Sequence, residues 1–187
     1  MKKLLKTTLF FYLLSISLLG FSETSEKLNI ETSHGNMVIE IYPEKAPITV
    51  KNFLNYVDKD FYNGTIFHRV IDGFMIQGGG FDKDMVQKES DAPIKNEANN
   101  GLKNAIYTLA MARTSDPDSA SSQFFINVAN NSFLDYPGQD GAGYCVFAKV
   151  ISGTDVIDLI GKVTTGSNGG HQDVPTEAIM IEEVLSD

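Results

Sequence analysis

The chain has 187 residues and a formal net charge of −9, with 24 acidic against 15 basic side chains. This length suits one domain with a proper core, and the excess of acid argues against nucleic acid and anionic membranes as partners. Cys145 is the single cysteine of the sequence, so an internal disulfide is impossible. We expect Cys145 to be a small strand residue, because no partner that would activate a catalytic thiol is evident near it in sequence.

The N-terminus follows the plan of a secretory signal peptide. A basic start, Met-Lys-Lys-Leu-Leu-Lys, precedes an uncharged apolar run from Thr7 to Phe21. This run is shorter than the roughly 20 residues of a transmembrane helix, so we expect cleavage after Ser22 and no stable membrane insertion. The predicted organisation is a signal peptide over 1–22 and one domain over 23–187, with a net charge of −12 once three lysines are lost. We expect an exported monomer, in the periplasm in preference to the medium.

The first elements of the predicted domain are a hairpin and a helix. Residues 28–32 and 37–42 alternate between apolar and polar side chains, and the polar stretch between them places Gly35 at a turn. Pro47 opens a segment with apolar residues at helical spacing, which predicts an amphipathic helix over 47–58.

The rest of the chain is dominated by short apolar segments between Gly, Asp, Asn and Pro. The predicted strands are 66–71, 74–78, 107–111, 124–128, 145–150 and 178–184. Such a series favours an all-β barrel or sandwich. A second helix is predicted with Thr154 as N-cap and Gly161 as its stop. The loops over 81–105 and 114–122 are long for a small domain, which favours a functional role for them.

The most distinctive segment runs from Phe67 to Gly80 and reads Phe-His-Arg-Val-Ile-Asp-Gly-Phe-Met-Ile-Gln-Gly-Gly-Gly. Leu-Ala-Met-Ala-Arg and Ser-Gln-Phe-Phe-Ile-Asn follow further along the chain. These blocks closely resemble the cyclophilin-type peptidyl-prolyl cis/trans isomerases, most of all their exported bacterial branch, and the resemblance runs from about Leu28 to the C-terminus. It implies a mostly β fold, an eight-stranded antiparallel β-barrel capped by two α-helices.

The resemblance also implies the roles of individual residues. Arg69 takes the position of the catalytic arginine. Residues that would contact the proline ring form an apolar pocket: Phe74, Met75, Phe125 and Leu134. Residues that would hold the peptide backbone are the side chains of Gln77 and Gln123 and the main chain of Ala112 and Arg113. Many relatives carry asparagine at position 113, which is a departure here.

Two further departures concern the pocket wall. Phe133 stands where cyclosporin-sensitive members often have tryptophan, and Tyr144 stands where histidine is common. Because Phe133 lacks an indole N–H donor, we predict weak cyclosporin binding with catalysis retained.

The residue types fit the chemistry of proline isomerisation. Rotation about an X-Pro bond is slow because the nitrogen lone pair is delocalised into the carbonyl group. A permanently charged guanidinium such as that of Arg69 could hydrogen-bond the prolyl nitrogen as its lone pair localises. No covalent bond breaks, so no nucleophile, metal or cofactor is expected, and the partners are proline-containing polypeptides.

Simpler interpretations apply to other residues. His34, His68 and His171 lack the spacing of a zinc site, and the glycines at 78–80 are not followed by a helical pattern, which argues against a phosphate-binding loop. The sequon-like triplets that begin at Asn63 and Asn130 are expected to be accidental.

Two other function classes remain open from the residues. The same groove could hold proline-containing segments as a chaperone or adaptor without turnover, or the domain could be a β-sandwich lectin or a structural module. The presence of Arg69 together with Gln77 favours the enzyme, because a pure binder needs the apolar pocket but not the arginine.

Overall fold

The structure, a computed structural model, describes residues 26–186. The predicted signal peptide and its cleavage site lie outside this range. Within it, ten β-strands and two α-helices follow one another: β1 (Lys27–Thr32), β2 (Gly35–Ile41), α1 (Pro47–Val57), β3 (Thr65–Ile71), β4 (Met75–Asp82), β5 (Thr108–Met111), β6 (Phe124–Asn127), β7 (Val146–Ser152), α2 (Thr154–Ile160), β8 (Thr165–Asn168), β9 (His171–Pro175) and β10 (Met180–Ser186). Neither helix of this range is long and apolar enough to cross a membrane.

Eight of these strands close into an antiparallel barrel, as the resemblance implied. Their order around the barrel is β1-β10-β3-β4-β6-β5-β7-β2. The remaining two strands, β8 and β9, form a separate hairpin. Closure pairs the edges of the sheet, and it brings β3, β4, β6, β5 and β7 side by side on one wall.

The helices complete the core of the barrel. Phe53 of α1 lies 5.0 Å from the ring centroid of Tyr62, 5.6 Å from that of Phe124 and 5.1 Å from that of Phe147. From α2, Ile157 is fully buried in the same core. Burial of each such side chain contributes about 1.5–3 kcal/mol, which explains why the apolar spacing of residues 47–58 was a reliable sign of a helix.

Strand β3 contains a bulge that decides where Arg69 points. Phe67 pairs with Gly78 and Arg69 pairs with Gln77, so two steps along β3 match one step along β4. In a regular strand Phe67 and Arg69 would point to the same face. Phe67 and Val70 both belong to the interior core, whereas the side chain of Arg69 is 43% exposed. The extra residue shifts the alternation and turns Arg69 to the outer face of the barrel.

The start of α2 differs from the prediction. Thr154 is the first helical residue, and the N-cap is Gly153, with a left-handed φ of 80° and no side-chain capping bond. A Cβ at position 153 would lie 2.3 Å from the carbonyl oxygen of Asn36. The close approach of the β1–β2 hairpin therefore requires glycine before the helix, and this tertiary contact overrides the capping preference of Thr154.

The β8–β9 hairpin was missed, and β4 is longer than predicted. The hairpin is mostly exposed and lacks an alternating apolar face, which is the signal that identifies strands. Strand β4 continues through the three glycines to Asp82, where glycine weakens a strand pattern.

Cys145 is buried as predicted, although it lies immediately before β7 rather than within it. Burial raises the pKa of its thiol to about 11, against a smaller opposite effect of the hydrogen bond with Thr49. The thiol is therefore protonated at neutral pH, which suits a packing role and not a nucleophile.

Candidate active site

A single row of residues crosses five neighbouring strands of the barrel wall. Arg69 pairs with Gln77, Gln77 with Phe125, Phe125 with Ala110, and Ala110 with Val146. Directly paired residues have Cβ atoms about 5 Å apart. The register therefore places a cation, an amide and an apolar surface side by side, in that order.

The apolar part of this row belongs to a second hydrophobic cluster, separate from the barrel interior. Its buried members are Met75, Ala110, Phe125 and Val146. Partly buried side chains that pack against them include those of Phe74, Ala112, Leu134 and Tyr144. The four residues predicted to form the proline pocket are thus brought together, from three separate parts of the chain.

Phe133 lies at the rim of this cluster. Its ring stacks on that of Phe74, with centroids 5.7 Å apart and an interplanar angle of 26°. The side chain is 46% exposed. Phe133 therefore extends the apolar surface outward from Phe74.

The side chains of Gln77 and Gln123, both predicted site residues, are hydrogen-bonded to each other. Gln77 Nε2 donates to Gln123 Oε1 at 3.0 Å. The Gln123 side chain lies against Gly80, where a Cβ would come within 2.4 Å of its Cγ. Gly80 thus leaves the space that the Gln123 side chain occupies.

The segment at Ala112 and Arg113 separates into main-chain and side-chain roles. The N–H of Ala112 donates to the carbonyl of Gln123 at 3.0 Å, so this donor is already engaged within the protein. The side chain of Arg113 is only 2% exposed. Its Nε and Nη2 donate to the Gly143 carbonyl at 3.1 and 2.8 Å. That guanidinium is therefore built into the loop wall, and a substrate contact by Arg113 stays a prediction for its main chain.

Arg113 orders the loop that carries Tyr144. It pairs with Asp140, and its guanidinium carbon lies 4.1 Å from the centroid of the Tyr144 ring. The Arg113 guanidinium holds the pKa of the Asp140 carboxyl well below its usual range. The Tyr144 ring also contacts the Phe125 ring edge-on, with centroids 5.7 Å apart. Tyr144 is thus held by the Arg113 guanidinium and by the aromatic ring of Phe125.

His68, the residue before Arg69, is neutral at physiological pH. It is 5% exposed, and its Nδ1 has no hydrogen-bond partner within residues 26–186. Burial, and then the charges of His171 and Arg69, lower the pKa of His68 to about 4. Arg69 therefore supplies the positive charge at this end of the row.

Two contributors were missed from the sequence. Asn131, 3% exposed, donates to the Phe74 carbonyl at 2.8 Å and to Asn127 Oδ1 at 2.6 Å, which anchors the pocket wall. Asp173, on the unpredicted hairpin, places Oδ2 3.7 Å from Arg69 Nε. For Asn131 the sequence signal was the pair of asparagines shortly before Phe133. For Asp173 there was no local signal, because its contact with Arg69 forms only when distant segments of the chain come together.

The histidines do not gather into a metal site. Within the described range no group of three or more His, Cys, Asp or Glu side chains could hold a metal ion. His68 and His171 instead contact the ring of Phe81, with centroids 4.6 and 5.2 Å away.

Comparison with known proteins identifies the family. Residues 27–185 match the family model described as "Cyclophilin type peptidyl-prolyl cis-trans isomerase/CLD". The chain is 60% identical over 159 residues to peptidyl-prolyl cis-trans isomerase B of Escherichia coli K12, covering 84% of this chain and 97% of that protein. It is 54% identical over 172 residues to peptidyl-prolyl cis-trans isomerase A of Dickeya dadantii, covering 89% of this chain and 90% of that protein.

Solved structures show the same likeness. A cyclophilin-type peptidyl-prolyl cis-trans isomerase of Cryptosporidium parvum superposes with a TM-score of 0.70 at 26% identity, over 87% of this chain and 98% of that chain. A second crystal structure of that protein, obtained in the presence of the dipeptide Ala-Pro, has a TM-score of 0.69. The family model spans residues 27–185, and the chain belongs to the enzymes of the cyclophilin-type peptidyl-prolyl cis-trans isomerase family.

Proposed function

We propose that this isomerase acts on X-Pro bonds of exported polypeptides through one cationic contact, from Arg69 to the prolyl nitrogen. The observation that carries the proposal is the register of β3, β4 and β6, which sets Arg69 and Phe125 on either side of Gln77. A proline ring seated on the apolar cluster would have its amide nitrogen near the neighbouring strands, within reach of a long cationic side chain.

The chemistry requires a contact that strengthens as the amide twists. In the planar amide the nitrogen lone pair is delocalised, and in the twisted state it localises and becomes a hydrogen-bond acceptor. The N–H donors of Arg69 would bind this acceptor more strongly in the transition state than in the ground state, which is the condition for acceleration.

The apolar cluster contributes by binding and by excluding water. Proline has no N–H and presents mainly apolar surface, which matches Met75, Phe125 and the neighbouring Phe74. A site with less water increases the electrostatic effect of the guanidinium. The linked amides of Gln77 and Gln123 lie where the peptide backbone would pass.

One cationic contact and an apolar pocket can supply the rate enhancement that the reaction requires. The uncatalysed step takes tens to hundreds of seconds, so turnover in a millisecond requires about five powers of ten, or roughly 7 kcal/mol. A charge-assisted hydrogen bond together with orientation of the peptide is sufficient on that scale.

Replacement of Arg69 tests the mechanism. Arg69→Ala should lower turnover of an Ala-Pro peptide, measured by NMR exchange or a protease-coupled assay, by about a hundredfold, with an unchanged melting temperature because the side chain is half-exposed. Lys59→Ala, which removes an exposed surface cation paired with Asp91, is the matched control. Wild-type turnover in Arg69→Ala would contradict the mechanism and favour a proline-binding chaperone or adaptor.

Export is the second part of the proposal, and its support is the charge and hydropathy pattern over 1–22. Expression of the full chain in a bacterial host, with mass spectrometry of the protein released by osmotic shock, should give a mature chain that begins at Glu23. Recovery of the uncleaved chain from the cytoplasm would contradict export.

A further inference from the structure

The acid that pairs with the guanidinium of Arg69 comes from outside the barrel. Asp173 Oδ2 lies 3.7 Å from Arg69 Nε, and the two side chains are 41% and 43% exposed. This separation is that of an ion pair and is longer than a hydrogen bond. The partner is contributed by β9, about a hundred residues further along the chain.

The backbone at Asp173 is specialised. Its φ is 61°, in the left-handed region, which is uncommon for a residue with a side chain and is tolerated best by Asn and Asp after Gly. The following residues, Val174 and Pro175, are buried. The hairpin is therefore anchored just beyond the point where the chain takes this conformation.

A second contact joins the same hairpin to the barrel wall that carries Arg69. The ring of His171 packs edge-on against Phe81 at 5.2 Å, and Phe81 lies 4.6 Å from the ring of His68, the residue before Arg69. Strand β9 thus contacts this wall twice, through the aromatic contact of His171 with Phe81 and through the charge pair of Asp173 with Arg69.

The geometry of the pair suits a positioning role. A carboxylate near Nε restricts the rotamers of a long, otherwise mobile side chain, while the Nη donors at the far end of the fork remain free to reach a ligand. Asp173 cannot itself donate to the prolyl nitrogen when ionised, so its effect would pass entirely through Arg69.

We propose that Asp173 is a positioning residue that holds the Arg69 guanidinium in its productive orientation, so that the β8–β9 hairpin forms part of the catalytic machinery. This inference rests on the proposed role of Arg69. It predicts an effect on kcat rather than KM, because the apolar cluster that binds proline does not include Asp173.

Two substitutions separate positioning from folding. Asp173→Asn removes the charge while keeping the size of the side chain and its tolerance of a left-handed φ. Asp173→Gly removes the side chain and adopts the left-handed φ without steric strain. Both should lower kcat by about two- to fivefold, the range expected for a half-exposed ion pair, with KM unchanged. Asp173→Gly should melt no lower than the wild type. Asp91→Asn, which removes an exposed carboxylate paired with Lys59 and distant in sequence from Arg69, is the matched control and should leave kcat unchanged.

Salt and NMR provide readouts that a structural role would not affect. The ratio of wild-type to Asp173→Asn kcat should shrink towards one as salt rises from about 0.01 to about 1 M, where the Debye length falls from roughly 30 to roughly 3 Å. The Arg69 Nε–Hε resonance of the substrate-free protein should shift in Asp173→Asn and not in Asp91→Asn.

The outcomes distinguish this inference from the proposed mechanism. If Arg69→Ala is inactive while both Asp173 variants keep wild-type kcat and an unshifted Arg69 resonance, the positioning role is wrong and the arginine mechanism stands. If Arg69→Ala retains wild-type turnover, the mechanism fails, and the positioning role fails with it.

Discussion

The side chain of Gln123 packs so closely on Gly80 that a methyl group at position 80 would overlap the Gln123 side chain. The same side chain accepts the hydrogen bond from Gln77, the residue between Arg69 and Phe125 in the strand register. A glycine of β4 therefore leaves the space in which Gln123 lies, and through it supports the position of the Gln77 amide.

Gly80→Ala should displace Gln123 and break its hydrogen bond with Gln77, because the new Cβ would lie 2.4 Å from Gln123 Cγ. We expect kcat/KM for a proline peptide to fall by about tenfold, which corresponds to the loss of roughly one hydrogen-bonded contact. Peptide kinetics of Gly80→Ala, Gln123→Ala and the double variant check this. If Gly80 acts through Gln123, the double variant matches Gln123→Ala, and additive losses would refute the link.

Phe74→Ala should weaken substrate binding more than catalysis. The ring packs against the apolar cluster and stacks on Phe133, but it carries no donor for the prolyl nitrogen. We expect KM to rise by about tenfold, or ~1.4 kcal/mol, with kcat within about twofold of the wild type. Full progress curves over a range of peptide concentrations measure both. Leu159→Ala, at an exposed leucine of α2, is the control, and a Phe74→Ala variant that loses only kcat would contradict the assigned role.

Phe133 should make the protein weakly sensitive to cyclosporin. The half-exposed ring stacks on Phe74 and has no N–H to donate. Phe133→Trp should tighten cyclosporin inhibition by about tenfold, the contribution of one hydrogen bond, while peptide turnover stays near the wild-type value. Inhibition titrations of the two proteins test this. Nanomolar inhibition of the wild type, with no gain in Phe133→Trp, would show that the indole donor is unimportant here.

His68 should make folding stability depend on pH. Burial, and then the charges of His171 and Arg69, lower its folded-state pKa to about 4, against about 6.5 in an unfolded chain. Between these values the unfolded chain binds a proton that the folded protein excludes. The free energy of unfolding should therefore fall as pH drops from about 6.5 towards 4, by roughly 3 kcal/mol over the whole window.

His68→Phe isolates this contribution, because phenylalanine fills a similar volume and does not titrate. Urea unfolding at several pH values should show a shallower loss of stability between about pH 6.5 and pH 4 in the variant than in the wild type. Parallel curves for the two proteins would mean that other groups account for the acid sensitivity.

Much of the fold could be read from local patterns. The hairpin around Gly35, the helix that begins at Pro47 and the apolar strands of the barrel all occur within a few residues of their predicted bounds. These elements depend on periodicity and turn chemistry, which are local. The β8–β9 hairpin was missed because its mostly exposed strands lack an apolar alternation. The cap of α2 was misassigned because Gly153 is required by the close approach of Asn36, a distant segment of the chain.

The amino-acid sequence alone determined the family, through the block from Phe67 to Gly80 and its companions, and with it the identity of the candidate catalytic arginine. Tertiary structure alone decided the direction and surroundings of that arginine. The bulge at His68 turns Arg69 outward, and closure of the chain brings Asp173 beside it. The reason is physical: side-chain type is a local property, whereas strand register and charge pairing arise only when segments far apart in sequence pack against one another.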